Sequence, residues 1–254
     1  MTFIFASKIV EIYESNGYTR LFFCYIECSQ FRNYSMDSVI LGNQIWASTN
    51  LIDPVFRNGD EIPVVNNYKD WERFSLNEQP CCAYVDNKPS MSKYGLFFNG
   101  YALIDNRNIA PEGFRVPNIQ DIITLAENLG FPNENDYSIY YNGKVAYTLK
   151  SEKTWKKSFF GEPGNNETGL SFLAGGNLGM RYGELEFNDK GTTAGHWLFD
   201  EYLPKEGVRF FPAPPDNWPK TRFHSFSIGT GGNHCLSVGN DLIMGGLFIR
   251  CIKE

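Results

Sequence analysis

Ala110-Pro-Glu-Gly-Phe-Arg-Val-Pro117 runs straight into Asn118-Ile-Gln-Asp-Ile-Ile-Thr-Leu-Ala-Glu-Asn-Leu-Gly130, the clearest helical pattern in the chain. Ile119, Ile122, Ile123, Ala126 and Leu129 recur at the spacing that puts them on one face. Asn118 is placed to cap the first turn, Asp121 sets a carboxylate where the helix dipole favours one, and Gly130 is the stop. Pro117 ahead of Asn118 keeps the preceding residues extended, so the spacing predicts an extended approach followed by one helix over 118–129.

Upstream, Ser38-Val-Ile-Leu-Gly-Asn-Gln-Ile-Trp46 reads as a strand, a turn and a strand, followed by an irregular acidic stretch through Asp60 and Glu61. Tyr94-Gly-Leu-Phe-Phe-Asn-Gly-Tyr101 reads as a buried aromatic segment. At the amino end, Ile9–Tyr13 and Leu21–Ile26 flank Asn16-Gly17, a strong signal for a two-residue hairpin turn. A lone hairpin is marginal in water, so this one must pack on the main domain or on another subunit. Downstream of the helix, Gly and Asn recur every few residues and regular elements shorten. Leu247-Phe-Ile-Arg-Cys-Ile252 closes the chain as a strand with alternating faces. The expected class is α+β, with short twisted antiparallel sheets, one clear helix and long loops.

The 254 residues, 42% of them apolar and 16% aromatic, allow a substantial core, while 24 glycines and 13 prolines fit much irregular backbone. The net charge is −6 with Lys and Arg scattered, which argues against nucleic acid, whose phosphates need clustered cations. No apolar run approaches the roughly 18–20 residues of a membrane span. The opening Met1–Lys8 has no basic segment ahead of an apolar core, and Lys8 and Glu11 interrupt the apolar stretch, so it does not read as a secretory signal. The expectation drawn from this is a product released by another route, as a virion component is on lysis, a cytoplasmic one, or a chain whose signal has been removed.

The order of the segments resembles the Fibrobacter succinogenes major paralogous (FISUMP) family. Leu41-Gly-Asn-Gln-Ile-Trp46 with Asn50-Leu51 is similar to the opening of those domains, and Cys82-Ala-Tyr-Val-Asp-Asn-Lys-Pro89 with Lys93-Tyr-Gly-Leu-Phe-Phe-Asn99 to the next block. Ala110–Pro117 and its helix follow, then Leu149-Lys-Ser151, Trp155 and Asn165-Asn-Glu-Thr-Gly-Leu-Ser-Phe-Leu-Ala-Gly-Gly176, and finally Phe248-Ile-Arg-Cys-Ile-Lys253. The resemblance implies a C-type-lectin-like domain over 38–254, with paired chain ends and long variable loops, preceded by a separate segment 1–37. It also implies exported bacterial surface proteins, and related lectin-like domains serve as receptor-binding modules in phages. It supplies no catalytic residues. Departures are Ala110 where many members have cysteine, His196-Trp-Leu-Phe-Asp200 in place of a longer Trp-rich run, and Phe98-Asn-Gly100 where an aromatic triplet ending in Trp is usual.

Trp46, Tyr94, Phe114 and Trp155 lie inside the motif segments and are expected to be core anchors. The ligand surface is expected on the loops 176–245, where His196, Trp197, Tyr202, Trp218, Arg222, His224 and Asn233 supply aromatic faces with hydrogen-bond donors and acceptors. Trp197 reads equally as a loop staple. Asn165, Asn166 and Glu167 offer oxygen ligands for a weak structural calcium, but their amides are better read as satisfying backbone groups of a tight loop. No other cofactor is indicated.

The six cysteines, Cys24, Cys28, Cys81, Cys82, Cys235 and Cys251, match no zinc spacing and read as free thiols. Gly229-Thr-Gly-Gly-Asn233 lacks the Lys-Ser/Thr pair of a phosphate loop and reads as a display loop. No G-x-S-x-G or His-paired cysteine marks a nucleophile.

The expectation is therefore a non-catalytic binding protein, foremost a phage virion component (tail, fibre or capsid-decorating) for host-surface attachment. Its partners would be virion proteins or sister subunits through residues 1–37, in a homo-oligomer, and a host glycan or protein through 176–245, with no membrane insertion. Alternatives are a bacterial cell-surface adhesin or glycan-binding module, and an enzyme on the related sulfatase-modifying-oxidase type of fold, for which Cys235 and Cys251 would be the reactive pair. Deleting residues 1–37 is predicted to leave a folded chain with a cooperative thermal transition; loss of that transition would place the hairpin in the core.

Overall fold

The structure is a computed structural model that describes residues 9–15, 18–24, 36–132, 140–141, 144–157, 162–181, 184–203, 215–229 and 235–254. Its elements in chain order are β1 (Ile9–Ser15), β2 (Tyr18–Cys24), β3 (Ser38–Leu41), β4 (Gln44–Ala47), α1 (Tyr68–Leu76), β5 (Cys82–Tyr84), β6 (Leu96–Phe98), α2 (Gly100–Ile104), β7 (Phe114–Arg115), α3 (Ile119–Asn128), β8 (Tyr140–Tyr141), α4 (Lys144–Leu149), β9 (Asn177–Arg181), β10 (Glu184–Asn188), β11 (Thr193–Glu201), β12 (Arg222–Gly229), β13 (Leu236–Leu242) and β14 (Ile252–Lys253). Every pairing between these strands is antiparallel. One sheet runs β1-β2-β3-β4-β14-β7, a second β11-β12-β13-β8, and two small ribbons pair β9 with β10 and β5 with β6. The architecture is mixed α+β with short sheets and few helices.

The sequence signals explain the local structure. β3 turns into β4 at Gly42 and Asn43, with Gly42 at φ +59°, a value a side chain disfavours. α3 begins at Asn118 with a reciprocal capping box: Asn118 accepts from the Asp121 backbone N–H, and Asp121 accepts from the Asn118 N–H. Asp121 also takes both guanidinium nitrogens of Arg115 at 2.6 and 2.8 Å. Three further helices were not legible as periodic patterns, because α2 and α4 are five and six residues long and α1 buries little beyond Trp71 and Ser75. The N-terminal strands pair with Ser15 opposite Tyr18, so their register brackets Asn16-Gly17 as expected; those two residues lie outside the described ones. β2 then joins β3 through only two residue pairs, Arg20 with Val39 and Leu21 with Ser38.

The closing segment departs from the alternating strand expected of it. Residues 247–252 are buried on both sides, because they run between two halves of the core rather than along a surface sheet. Their backbone is bonded to four other segments: Phe98 N–H donates to Leu247 O at 2.9 Å, Trp197 N–H to Phe248 O at 2.9 Å, Leu51 N–H to Ile249 O at 2.9 Å and Ala47 N–H to Cys251 O at 2.9 Å. Only Ile252 and Lys253 form a strand, between β4 and β7.

One half of the core gathers Trp71, Phe97, Phe98, Trp197, Phe223 and Phe248; the other gathers Trp46, Ile122, Leu125, Trp155, Phe172 and Phe226. Each tryptophan satisfies its indole N–H: Trp46 on Gln44 Oε1, Trp71 on Met244 O, Trp155 on Phe172 O, Trp197 on Phe98 O and Trp218 on Glu72 Oε1. Trp46, Tyr94 and Trp155 are buried as expected of anchors. Phe114 is only partly buried, because β7 is the outermost strand of its sheet.

Gly176 shows how tightly the loops are seated: it has φ +80°, and a Cβ there would lie 2.0 Å from the carbonyl oxygen of Asn188.

Arg250 crosses between the two halves. It is 1% exposed, donates from Nε to Asn50 Oδ1 at 2.9 Å and from Nη1 to the carbonyls of Ala47 and Leu170 at 3.1 and 3.0 Å, and lies 4.3 Å from the Phe172 ring centroid. Replacing Arg250 with alanine orphans these acceptors, and a loss of about 3–5 kcal/mol of unfolding free energy is expected in denaturant titrations; a loss below about 1 kcal/mol would show that the network is dispensable.

Candidate functional site

The residues expected to contact ligand divide into two groups. His196, Trp197 and Trp218 belong to the core and do not present a binding surface. His196 and Trp197 are fully buried, and Trp218 is 5% exposed and packs against Phe223 and Leu242. The physical reason is register: β11 is covered on both faces, with Trp197 in one half of the core and its neighbours Ala194 and Leu198 in the other. The aromatic residues in this part of the chain therefore fasten the sheet to the core. Asn233 lies outside the described residues, as do Cys24 and Cys28.

His196 is held by the same acceptor as Arg250. Asn50 donates its amide to Tyr94 O at 2.8 Å, which leaves Oδ1 to accept from Arg250 Nε and from His196 Nε2 at 3.1 Å. The imidazole is thus protonated on Nε2, stacks on Phe226 at 4.7 Å and 11°, and meets Phe172 edge-on at 5.0 Å. Its Nδ1 finds no hydrogen-bond partner among the described residues. Burial, with the nearby Arg250 charge, holds its pKa well below the usual histidine value, an effect the backbone of Ala194 only partly offsets. Burial alone likewise pulls Arg250 down to about 9 and Lys150, which sits over the Trp155 ring, down to about 8.

Tyr202, Arg222 and His224 are brought together. Arg222 and His224 are two apart on β12 and share a face, the one whose inner residues Phe226 and Ile228 enter the core. Beyond the core this face is partly open to solvent. An irregularity between Trp197 and Glu201 brings the Tyr202 backbone N–H onto Arg222 O at 2.9 Å, and its ring meets His224 edge-on at 5.1 Å. Across the sheet, Asn240 lies opposite His224 and accepts from Arg222 Nε, while its backbone carbonyl accepts from Arg222 Nη2 at 3.3 Å.

His224 Nδ1 is 3.1 Å from Gly239 O; a carbonyl only accepts, so Nδ1 carries the proton and Nε2 is the other edge of the ring. Asn240 was not singled out from the sequence, since its place opposite His224 depends on a strand register that no local signal reveals. Close by in the chain, Phe199 and Leu203 are 54% and 77% exposed.

The remaining candidates are structural. Asn165 Oδ1 accepts from the Glu167 N–H at 3.2 Å, and Asn166 Oδ1 accepts from the Ser171 N–H at 2.8 Å, so the two amides organise the loop that carries them. Among the described residues no three His, Cys, Asp or Glu side chains gather in a way that could hold a metal. Cys81, Cys82, Cys235 and Cys251 are free thiols. Burial pushes Cys81 and Cys251 up to about 12 and Cys82 higher still, which removes the thiolate that nucleophilic chemistry needs.

The Fibrobacter succinogenes major domain matches residues 39–253, nearly the whole of the chain beyond its N-terminal strands. The chain belongs to that family. Its buried Asn50, Phe172, Arg250 and Trp155 all come from segments on which the resemblance rests, so the motif residues mark the scaffold of the domain rather than the open end of β12. No curated protein and no solved structure matches the chain. No helix among the described residues is long and apolar enough to cross a membrane.

The neutral, buried His196 makes a pH prediction. Its pKa is depressed in the folded state, so below an unfolded-state value of about 6.5 the unfolded chain takes up a proton that the folded chain does not. Stability is therefore fully present above that pH and falls as pH drops, by up to about 1.4 kcal/mol per pH unit from this group. Denaturant titrations between pH 7.5 and 5 should show this slope in the wild type and a shallower one in His196→Gln; identical slopes would contradict the assignment.

Proposed function

We propose that the chain is a non-catalytic binding module with a lectin-like domain that attaches its bearer to a surface glycan, and that the bearer is a virion. The observation that carries this reading is the convergence of Tyr202, Arg222, His224 and Asn240 on one sheet face beyond the core. An aromatic ring, a guanidinium, an imidazole edge and an amide supply the apolar contact and the donors and acceptors that a sugar ring requires. The sheet behind them is rigid: its inner half is packed on both sides, so the face is held ready before ligand arrives. Inert buried thiols weigh against cysteine chemistry on this scaffold. The phage setting rests on the resemblance to lectin-like modules that serve there in receptor binding. Attachment through the N-terminal strands, which meet the domain at two residue pairs, fits an arm that holds a second partner.

The test is a glycan array and a host-cell adsorption assay with the wild type and with Tyr202→Ala, Arg222→Ala and His224→Ala. These partly exposed positions should change stability by only about 0.5–1 kcal/mol, while binding falls at least tenfold in two of the three. Unchanged binding in all three variants, with melting temperatures preserved, would move the site off this face.

A further inference from the structure

The register of the four-stranded sheet separates charge between its two faces. Glu201 pairs with Phe223, and Phe223 with Asp241, so the two carboxylates share the face that carries Phe223. Arg222 and His224 occupy the opposite face with Asn240 and Tyr202. Asp241 is committed on its own side, where Ser225 Oγ donates to its Oδ2 at 2.6 Å. In a chain of net charge −6, the open end of this sheet thus turns a guanidinium and an imidazole outward and its acids the other way.

Resting on the glycan-binding reading above, we propose that the sugar held on this face is acidic, with its carboxylate taken by Arg222 and a hydroxyl of the same ring taken by His224 Nε2. Asn240 takes two of the five guanidinium N–H donors and fixes the plane of the fork, which suits the flat, two-oxygen geometry of a carboxylate. Two residues along a strand, Arg222 and His224 are roughly 7 Å apart, a span that one pyranose ring with its carboxylate covers. The Tyr202 ring, set edge-on to His224, borders the same space and offers a surface for the C–H face of the sugar. A neutral sugar fills the hydroxyl and ring contacts but leaves the guanidinium without its counter-charge.

The experiment measures binding of the full chain to a panel of oligosaccharides bearing uronic or nonulosonic acids, and to the same oligosaccharides after carboxyl reduction. The expected result is at least tenfold weaker binding after reduction, and loss of that preference in Arg222→Gln, with thermal melting confirming that the variant is folded. If the reduced and acidic sugars bind wild type equally, and Tyr202→Ala weakens both, the glycan reading stands and the acidic-sugar inference falls. An Arg222→Gln variant that keeps its preference for the acidic form would also overturn the inference. If no member of either panel binds, both readings fall together.

Discussion

A guanidinium with 1% of its surface exposed is an expensive thing to bury, and the placement of Arg250 constrains much of what surrounds it. Its charge must find acceptors at fixed positions. The acceptors are Ala47 O, beside the opening hairpin, Asn50 Oδ1 three residues on, and Leu170 O in the loop that follows α4. Four stretches distant in sequence are thereby held at hydrogen-bond distance, since Asn50 also reaches Tyr94. The same charge dictates the state of its neighbour: an imidazole sharing an acceptor with a buried cation is strongly disfavoured from protonation, so His196 is a neutral donor stacked among Phe172, Phe226 and Phe248.

Around this centre the tryptophans act as cross-links. Each has a large apolar body and one N–H that must be satisfied when buried, and each donates to a residue outside its own regular element or to a side chain beside it. Trp71 reaches the approach to the closing segment, Trp197 the aromatic strand β6, and Trp155 the loop at Phe172. Irregular backbone of the kind that the glycine content foretells is kept in place by these bonds rather than by long sheets.

The open end of β11, β12 and β13 contrasts with that interior. The same alternation that buries Phe226 and Ile228 brings His224 and Arg222 out on the same face, where the sheet outruns the core. The scaffold and the candidate binding face are therefore parts of a single strand, and the boundary between them is where packing from α3 and the opposing core ends. Asp200 marks that boundary, its carboxylate accepting from the Ile119 N–H at the start of α3.

The sequence by itself determined the features that depend on near neighbours: the helix at 119–128 with Asn118 and Asp121 as its cap, the turn at Gly42-Asn43, the pairing around Asn16-Gly17, and the family to which the ordered motifs belong. It also pointed to Tyr202, Arg222 and His224, because aromatic and polar residues in a loop-rich stretch are candidates wherever they fall. Only the tertiary structure decided that His196, Trp197 and Trp218 serve the core, that the closing segment is buried on both sides, and that Asn240 completes the face with Arg222. The reason is physical. Capping and turns are set by contacts a few residues apart, whereas burial and strand register are set by which distant segments pack together, and a histidine beside a tryptophan reads the same in either environment until its neighbours are known.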